Sequence, residues 1–221
     1  MRTLTVITAG LSNPSTTRQV ADTISAAVTA AVTARGESLE VHVVELRELV
    51  NDLGHALTTG MSSPALDEVK ERISASDGLV AATPVFKASY SGLFKTFFDV
   101  LDQDALNGMP TIIAATAGTA RHSLVLDHAL RPLLSYMRAV VVPTGVFAAT
   151  DDFGSEEGAG LDSRASRAAG ELADLMVASS GSVGGLGGAT AAGPGAPRRT
   201  GVDPAENFTP FSHLLKGHDG A

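Results

Sequence analysis

The sequence contains no cysteine and no tryptophan, and only two tyrosines. Without cysteine there is no disulfide framework, no thiol nucleophile and no thiolate site for zinc or an iron–sulfur cluster. The chain also lacks the GK[ST] ending of a P-loop, the G-x-G-x-x-G fingerprint and the H-E-x-x-H zinc motif. No apolar run approaches the roughly 20 residues that cross a bilayer. The run in "MRTLTVITAG" is too short for a secretion signal and reads as a strand. Basic residues number 16 against 24 acidic ones, a net charge of -8. That balance argues against a nucleic-acid binder and a membrane-surface binder. It leaves room for an anion held locally by backbone N–H groups. A cytoplasmic protein is expected.

What is present is a regular alternation. At 221 residues with 44% hydrophobic side chains, one domain can bury a sizeable core. Strands are expected at 4–9 ("LTVITA"), 39–46 ("LEVHVVEL"), 78–84 ("GLVAATP"), 110–118 ("PTIIAATAG") and 139–148 ("AVVVPTGVFA"). Helices are expected at 16–34, at a short stretch opened by Pro64, and at 92–102, 124–137 and 158–178. Residues 51–63 are polar and contain glycine, so they read as a loop. Strands apolar on both faces, alternating with helices, imply an α/β fold with a mostly parallel, doubly wound sheet. Five strands suit the flavodoxin-like order 2-1-3-4-5, with helices on both faces.

The composition changes after Ser179. Residues 180–202 are rich in Gly, Ala and Pro and read as a flexible linker following a domain at 1–179. Residues 203–221 form a tail whose "NFTPFSHLLKG" carries two phenylalanines and two leucines. It either docks on a core or neighbouring subunit, or is a disordered end.

In a doubly wound sheet, ligands bind at the carboxyl ends of the strands where the strand order reverses. Three loops meet there. The first, "GLSNPSTTR", leads from a strand into a helix N-terminus and offers Ser12, Ser15, Thr16 and Thr17 as hydroxyl donors and Arg18 as a charge. Free N–H groups and the helix dipole make this a phosphate site. The plain alternative is that Ser15 only caps the helix. The second, "TPVFKASYSG", offers Pro84, Val85 and Phe86 as an apolar rest for a flat ring, with Lys87 beside it or merely solvated. "SYSG" lacks the first glycine of a nucleophile elbow, which rejects a serine hydrolase. The third, "TAGTARH", brings Thr116, Ala117 and Gly118, small enough for a backbone to approach a ring. A phosphate nest, a ring slot and backbone donors, without a nucleophile or metal, suit a cofactor that carries its own reactivity. FMN satisfies every part.

"GLSNPSTTR", "ATPVFKASYSGLFKTFFDVL" and "ATAGTARHSLVLDHALRPLL" together resemble the NAD(P)H-dependent FMN reductases. The likeness is strongest to the reductase components of two-component flavin monooxygenase systems of alkanesulfonate type, and covers residues 1–153. It implies hydride transfer from NADPH or NADH to FMN, with reduced FMN supplied to a partner monooxygenase. It places Ser12, Ser15, Thr17 and Arg18 on the flavin phosphate. It places Pro84, Val85, Phe86 and Lys87 along the ring, and Thr116, Ala117 and Gly118 at its other edge. No side chain is implied as an acid, base or nucleophile. Helix 92–102 would build a subunit interface in a homodimer or homotetramer, although its apolar residues could instead all lie in one core. Phe86 stands where relatives usually carry tyrosine. His128 stands where some relatives insert a tyrosine into a π-bulge. Independently, Pro132 leaves the carbonyl of His128 without a helical partner, so an irregular helix is expected there. The rival readings are an FMN-bound quinone or azo-compound reductase, a flavodoxin-type electron carrier, and an assembly module built on the tail.

Overall fold

The computed structural model describes residues 1–149, 152 and 158–178. The linker 180–202 and the tail 203–221 lie outside the described residues.

Strand β1 (Arg2–Thr8) leads to α1 (Thr16–Thr33), which returns to β2 (Leu39–Glu45). A 3₁₀ turn (Leu46–Leu49), α2 (Val50–Thr59) and α3 (Pro64–Ala75) precede β3 (Gly78–Phe86). A short β4 (Ser89–Tyr90) and α4 (Gly92–Asp99) follow, then β5 (Pro110–Ala117), a 3₁₀ turn (Ala120–His122) and a π-turn (Leu126–Leu130). The sequence continues through α5 (Arg131–Tyr136), β6 (Val140–Val141), β7 (Val146–Ala149) and α6 (Gly158–Ala178).

Local signals fix the helix starts. Ser15, Ser63 and Ser91 cap α1, α3 and α4, each hydroxyl accepting a first-turn N–H at 3.2 Å. Pro64 opens α3, where its missing N–H costs nothing. On α1, Val20, Ala21, Ile24, Val28 and Val32 form a fully buried stripe at helical spacing.

The sheet runs β2-β1-β3-β5-β6 with parallel pairings, β7 also pairing β5 in parallel, and β4 antiparallel to β3. Its two faces carry separate cores. Leu4, Val6, Val80, Ala82, Ile112 and Ala114 face α1 and α6. Ile7, Leu79, Ala81, Ile113 and Ala115 face α2, α3, α4 and the π-turn. Period-two alternation thus serves two buried faces, as an α/β sheet requires.

The expected architecture stands in its coarse form, with four corrections. Among the described residues the sheet has seven strands rather than five, and one of them is antiparallel. The fifth expected strand is two, β6 and β7, because Pro143 interrupts the run and cannot join a ladder. Residues 51–63 are mostly helix, not loop: Leu53 and Ala56 bury one face of α2, continuing from Leu49 in the turn before it, and Gly60 ends it in a left-handed cap at φ 73°. Helix 92–102 stops at Asp99, and its Phe94, Phe97 and Phe98 are buried in this chain's own core, with Leu93 and Leu101 at the edge. Where Pro132 predicts an irregular helix, the π-turn Leu126–Leu130 lies immediately before it.

Candidate active site

The strand order reverses between β1 and β3, and the loops leaving β1, β3 and β5 converge there. They enclose a pocket of about 380 Å³. Its wall is Gly10, Leu11, Ser12, Ser15, Thr16 and Thr17 from the first loop and Pro84, Val85 and Phe86 from β3. Thr116, Ala117 and Gly118 from the end of β5 complete it. The structure therefore brings together nine of the eleven residues assigned to the site in the sequence, together with Thr16, whose hydroxyl the first loop also offered, and adds Gly10 and Leu11. These two lie within the same quoted loop, so their position beside Ser12 and Ser15 was the available signal.

Each wall segment is held by a specific contact. A Cβ at Gly10 would lie 1.9 Å from Ser15 Oγ, so only glycine lets the chain close over the cap of α1. The Thr17 and Thr116 hydroxyls meet at 2.8 Å in a buried bond that ties the first turn of α1 to the end of β5. Thr83, fully buried, accepts the Ser91 N–H at 3.0 Å and donates to the Pro84 carbonyl at 2.9 Å. Those bonds hold the ring-side segment against the start of α4. Ser91 is itself 1% exposed and occupied as a cap, which removes it from any nucleophilic role.

Phe86 reaches the pocket because β3 does not end at Pro84. It runs on to Phe86 and turns back through β4, pairing Val85 with Tyr90 and Phe86 with Ser89. The connection is Lys87-Ala88, both with positive φ, 51° and 66°. That is the backbone of a tight hairpin turn which usually selects asparagine and glycine. Phe86 remains 45% exposed at the mouth of the pocket.

Two expected site residues are not in the wall. Lys87 sits at the exposed hairpin tip. Arg18 turns outward, its Nε on Asp22 at 2.8 Å and its Nη1 on Glu45 at 2.8 Å. The hydrogen bond to Asp22, with the charges of Asp22 and Glu45, holds the guanidinium above its ordinary pKa against the opposing effect of burial. The i,i+4 spacing of Arg18 and Asp22 was the signal for this outcome.

The wall thus offers hydroxyls and the N-terminus of the 18-residue α1 at one end, and an apolar slot at the other. It contains no nucleophile with an adjacent base. Among the described residues no three His, Asp or Glu side chains group as a metal site. No helix among them is long and apolar enough to cross a membrane.

The family model described as NADPH-dependent FMN reductase matches residues 2–154. The chain belongs to this family. Within the FMN reductases it is similar to the FMN reductase (NADPH) of Pseudomonas aeruginosa, 43% identical over 120 residues, 53% of this chain and 64% of that protein. It is also 39% identical over 142 residues to the NADH-dependent FMN reductase SfnE of Pseudomonas putida, 64% of this chain and 74% of that one. The matched stretch therefore spans just under two thirds of the first relative and more of the second. Among solved structures, an oxidoreductase from Corynebacterium diphtheriae is 71% identical with a TM-score of 0.79. That match covers 80% of this chain and 98% of that one. A WrbA-like flavodoxin from Agrobacterium tumefaciens, 16% identical with a TM-score of 0.54, shares the fold over 80% of this chain and 98% of that one.

Proposed function

We propose that this chain is an NAD(P)H-dependent FMN reductase that uses NADPH or NADH and supplies reduced flavin to a monooxygenase. The observation that carries the reading is the pocket wall, with phosphate-type donors at one end and an apolar slot at the other, in a member of the FMN reductase family. The residues present fit FMN. The Gly10 close approach shapes a cradle at the α1 N-terminus, and the hydroxyls of Ser12, Ser15 and Thr17 are the kind of neutral donors that meet a phosphate there.

Ser12, Ser15 and Thr17 would hold the phosphate. Pro84, Val85 and Phe86 would lie along one side of the ring, and Thr116, Ala117 and Gly118 along its other edge. Bound FMN supplies the ring that accepts a hydride from the nicotinamide. The chain itself supplies placement: stacked rings need proximity and alignment more than an acid or base. The partly exposed Phe86 leaves the mouth accessible to a nicotinamide and lets the flavin leave. Arg18 and Lys87, expected at the phosphate and ring, are held apart from the wall and contribute at most a field.

A second copy of the chain is the proposed partner at the α4–α5 face, where Tyr136 at the end of α5 is 74% exposed. Sedimentation of the purified protein as a dimer or tetramer supports this, and a monomer overturns it.

The test of activity is steady-state oxidation of NADPH and of NADH with added FMN, with and without a candidate oxygenase. Turnover proportional to free FMN is expected. A protein that purifies yellow and ignores added FMN, but reduces a quinone or azo dye, overturns the reading in favour of a resident-flavin reductase. Absence of nicotinamide oxidation with every acceptor leaves the electron-carrier role.

A further inference from the structure

The pocket wall contains no charged side chain, yet a phosphate monoester carries close to two negative charges at neutral pH. Arg18 is engaged elsewhere. A second cation that touches the loop is Arg47, in the 3₁₀ turn after β2. Its guanidinium points two ways. Nη1 donates to the Ser12 carbonyl at 3.1 Å, and Nε pairs with Glu45 Oε2 at 2.8 Å. The other oxygen of Glu45 takes Arg18 Nη1, also at 2.8 Å. Glu45 thus joins two arginines, one bonded to Ser12 and the other in the first turn of α1. Loop 12–18 is bracketed from outside at both ends.

From this geometry we infer that Arg47 is a positioning residue for the phosphate-binding loop; the inference rests on the FMN reading above. The Ser12–Asn13 peptide is planar and trans, so its carbonyl and its N–H point in opposite directions. While Arg47 holds the carbonyl oxygen, that oxygen cannot turn toward an anion, and the Asn13 N–H stays on the side away from Arg47. The guanidinium also places a positive charge one peptide behind Ser12, which lines the pocket. Arginine suits this task because its planar fork donates in two fixed directions at once. A lysine offers a single ammonium in place of that fork. An ordinary surface ion pair would contribute little; the bond to the loop carbonyl sets this one apart.

The experiment compares FMN with riboflavin, which has the same ring and no phosphate. Both are titrated by fluorescence against the full-length protein and against Arg47→Met, which keeps an unbranched side chain and removes the guanidinium. Loss of a charged hydrogen bond that shapes the loop is expected to weaken FMN roughly tenfold and to leave riboflavin unchanged. Arg47→Lys is expected to recover part of the loss. Equal weakening of both flavins together with a lower Tm indicates general support of the fold and overturns the inference. So does FMN affinity that Arg47→Met leaves unchanged. A wild-type protein that binds FMN no tighter than riboflavin overturns the phosphate assignment itself, a different failure read from the wild type alone.

Discussion

Of the two glycines in the pocket wall, Gly10 has no room for a Cβ, whereas Gly118 has open space around it. In Gly10→Ala the new methyl group must displace Ser15 Oγ, which lies 1.9 Å from where it would sit. Loss of that cap costs about 1 kcal/mol, and the displaced hydroxyl leaves the phosphate end. Lower Tm and weaker FMN binding in the same variant are expected, measured by melting and by titration. Phe86 and Ser91 make a sharper contrast. Phe86→Ala removes the exposed aromatic edge of the slot and should raise the flavin dissociation constant while barely moving Tm. Ser91→Ala removes a buried cap that also meets Thr83. It should cost about 1 kcal/mol of stability and leave FMN turnover intact below the melting range. The opposite assignment of effects in flavin titration and thermal melting would remove Phe86 from the ring slot.

The β3–β4 hairpin is an element whose sequence and geometry disagree. Left-handed backbone costs an L-residue about 1–2 kcal/mol, and the turn places two such residues in succession, Lys87 and Ala88. Ala88→Gly is expected to raise Tm by roughly 2–4 °C in a thermal melt without changing the pairing of Phe86 with Ser89. The hairpin was not legible in the sequence because nothing in "FKAS" announces a turn of this hand. Helix α2 was missed for the opposite reason. Its buried Leu53 and Ala56, with Leu49 just ahead of the helix, are correctly spaced, but Gly54 and the surrounding polar residues mask them. The π-turn was legible, since Pro132 removes a donor whatever the tertiary context. So were the three pocket loops, because the strand alternation alone places their ends together. The Arg47 contact with Ser12 was not, because it depends on how the end of β2 meets a loop 35 residues away in the chain.

Each face of the sheet carries a core built from the described residues. The second is closed by Leu161, Ala165, Ala168, Ala169, Leu172, Ala173 and Met176 of α6, all buried. Truncation after Ser179 is therefore expected to preserve Tm and FMN reduction, whereas truncation before Gly158 should unfold the chain; circular dichroism melts distinguish the two. Unchanged oligomer size in the protein cut after Ser179 would assign assembly to the folded part, not the tail. The pocket, assembled from three separate stretches of this fold, also has a consequence for protons. Glycine, leucine, serine, threonine, proline, valine, phenylalanine and alanine make up its wall, and none of them ionises near neutrality. No wall side chain changes charge near neutrality, so pH dependence of FMN binding in that range is expected to come from the ligand. Affinity should fall as pH drops through the second phosphate ionisation, about 6, and riboflavin binding should stay level across the same range.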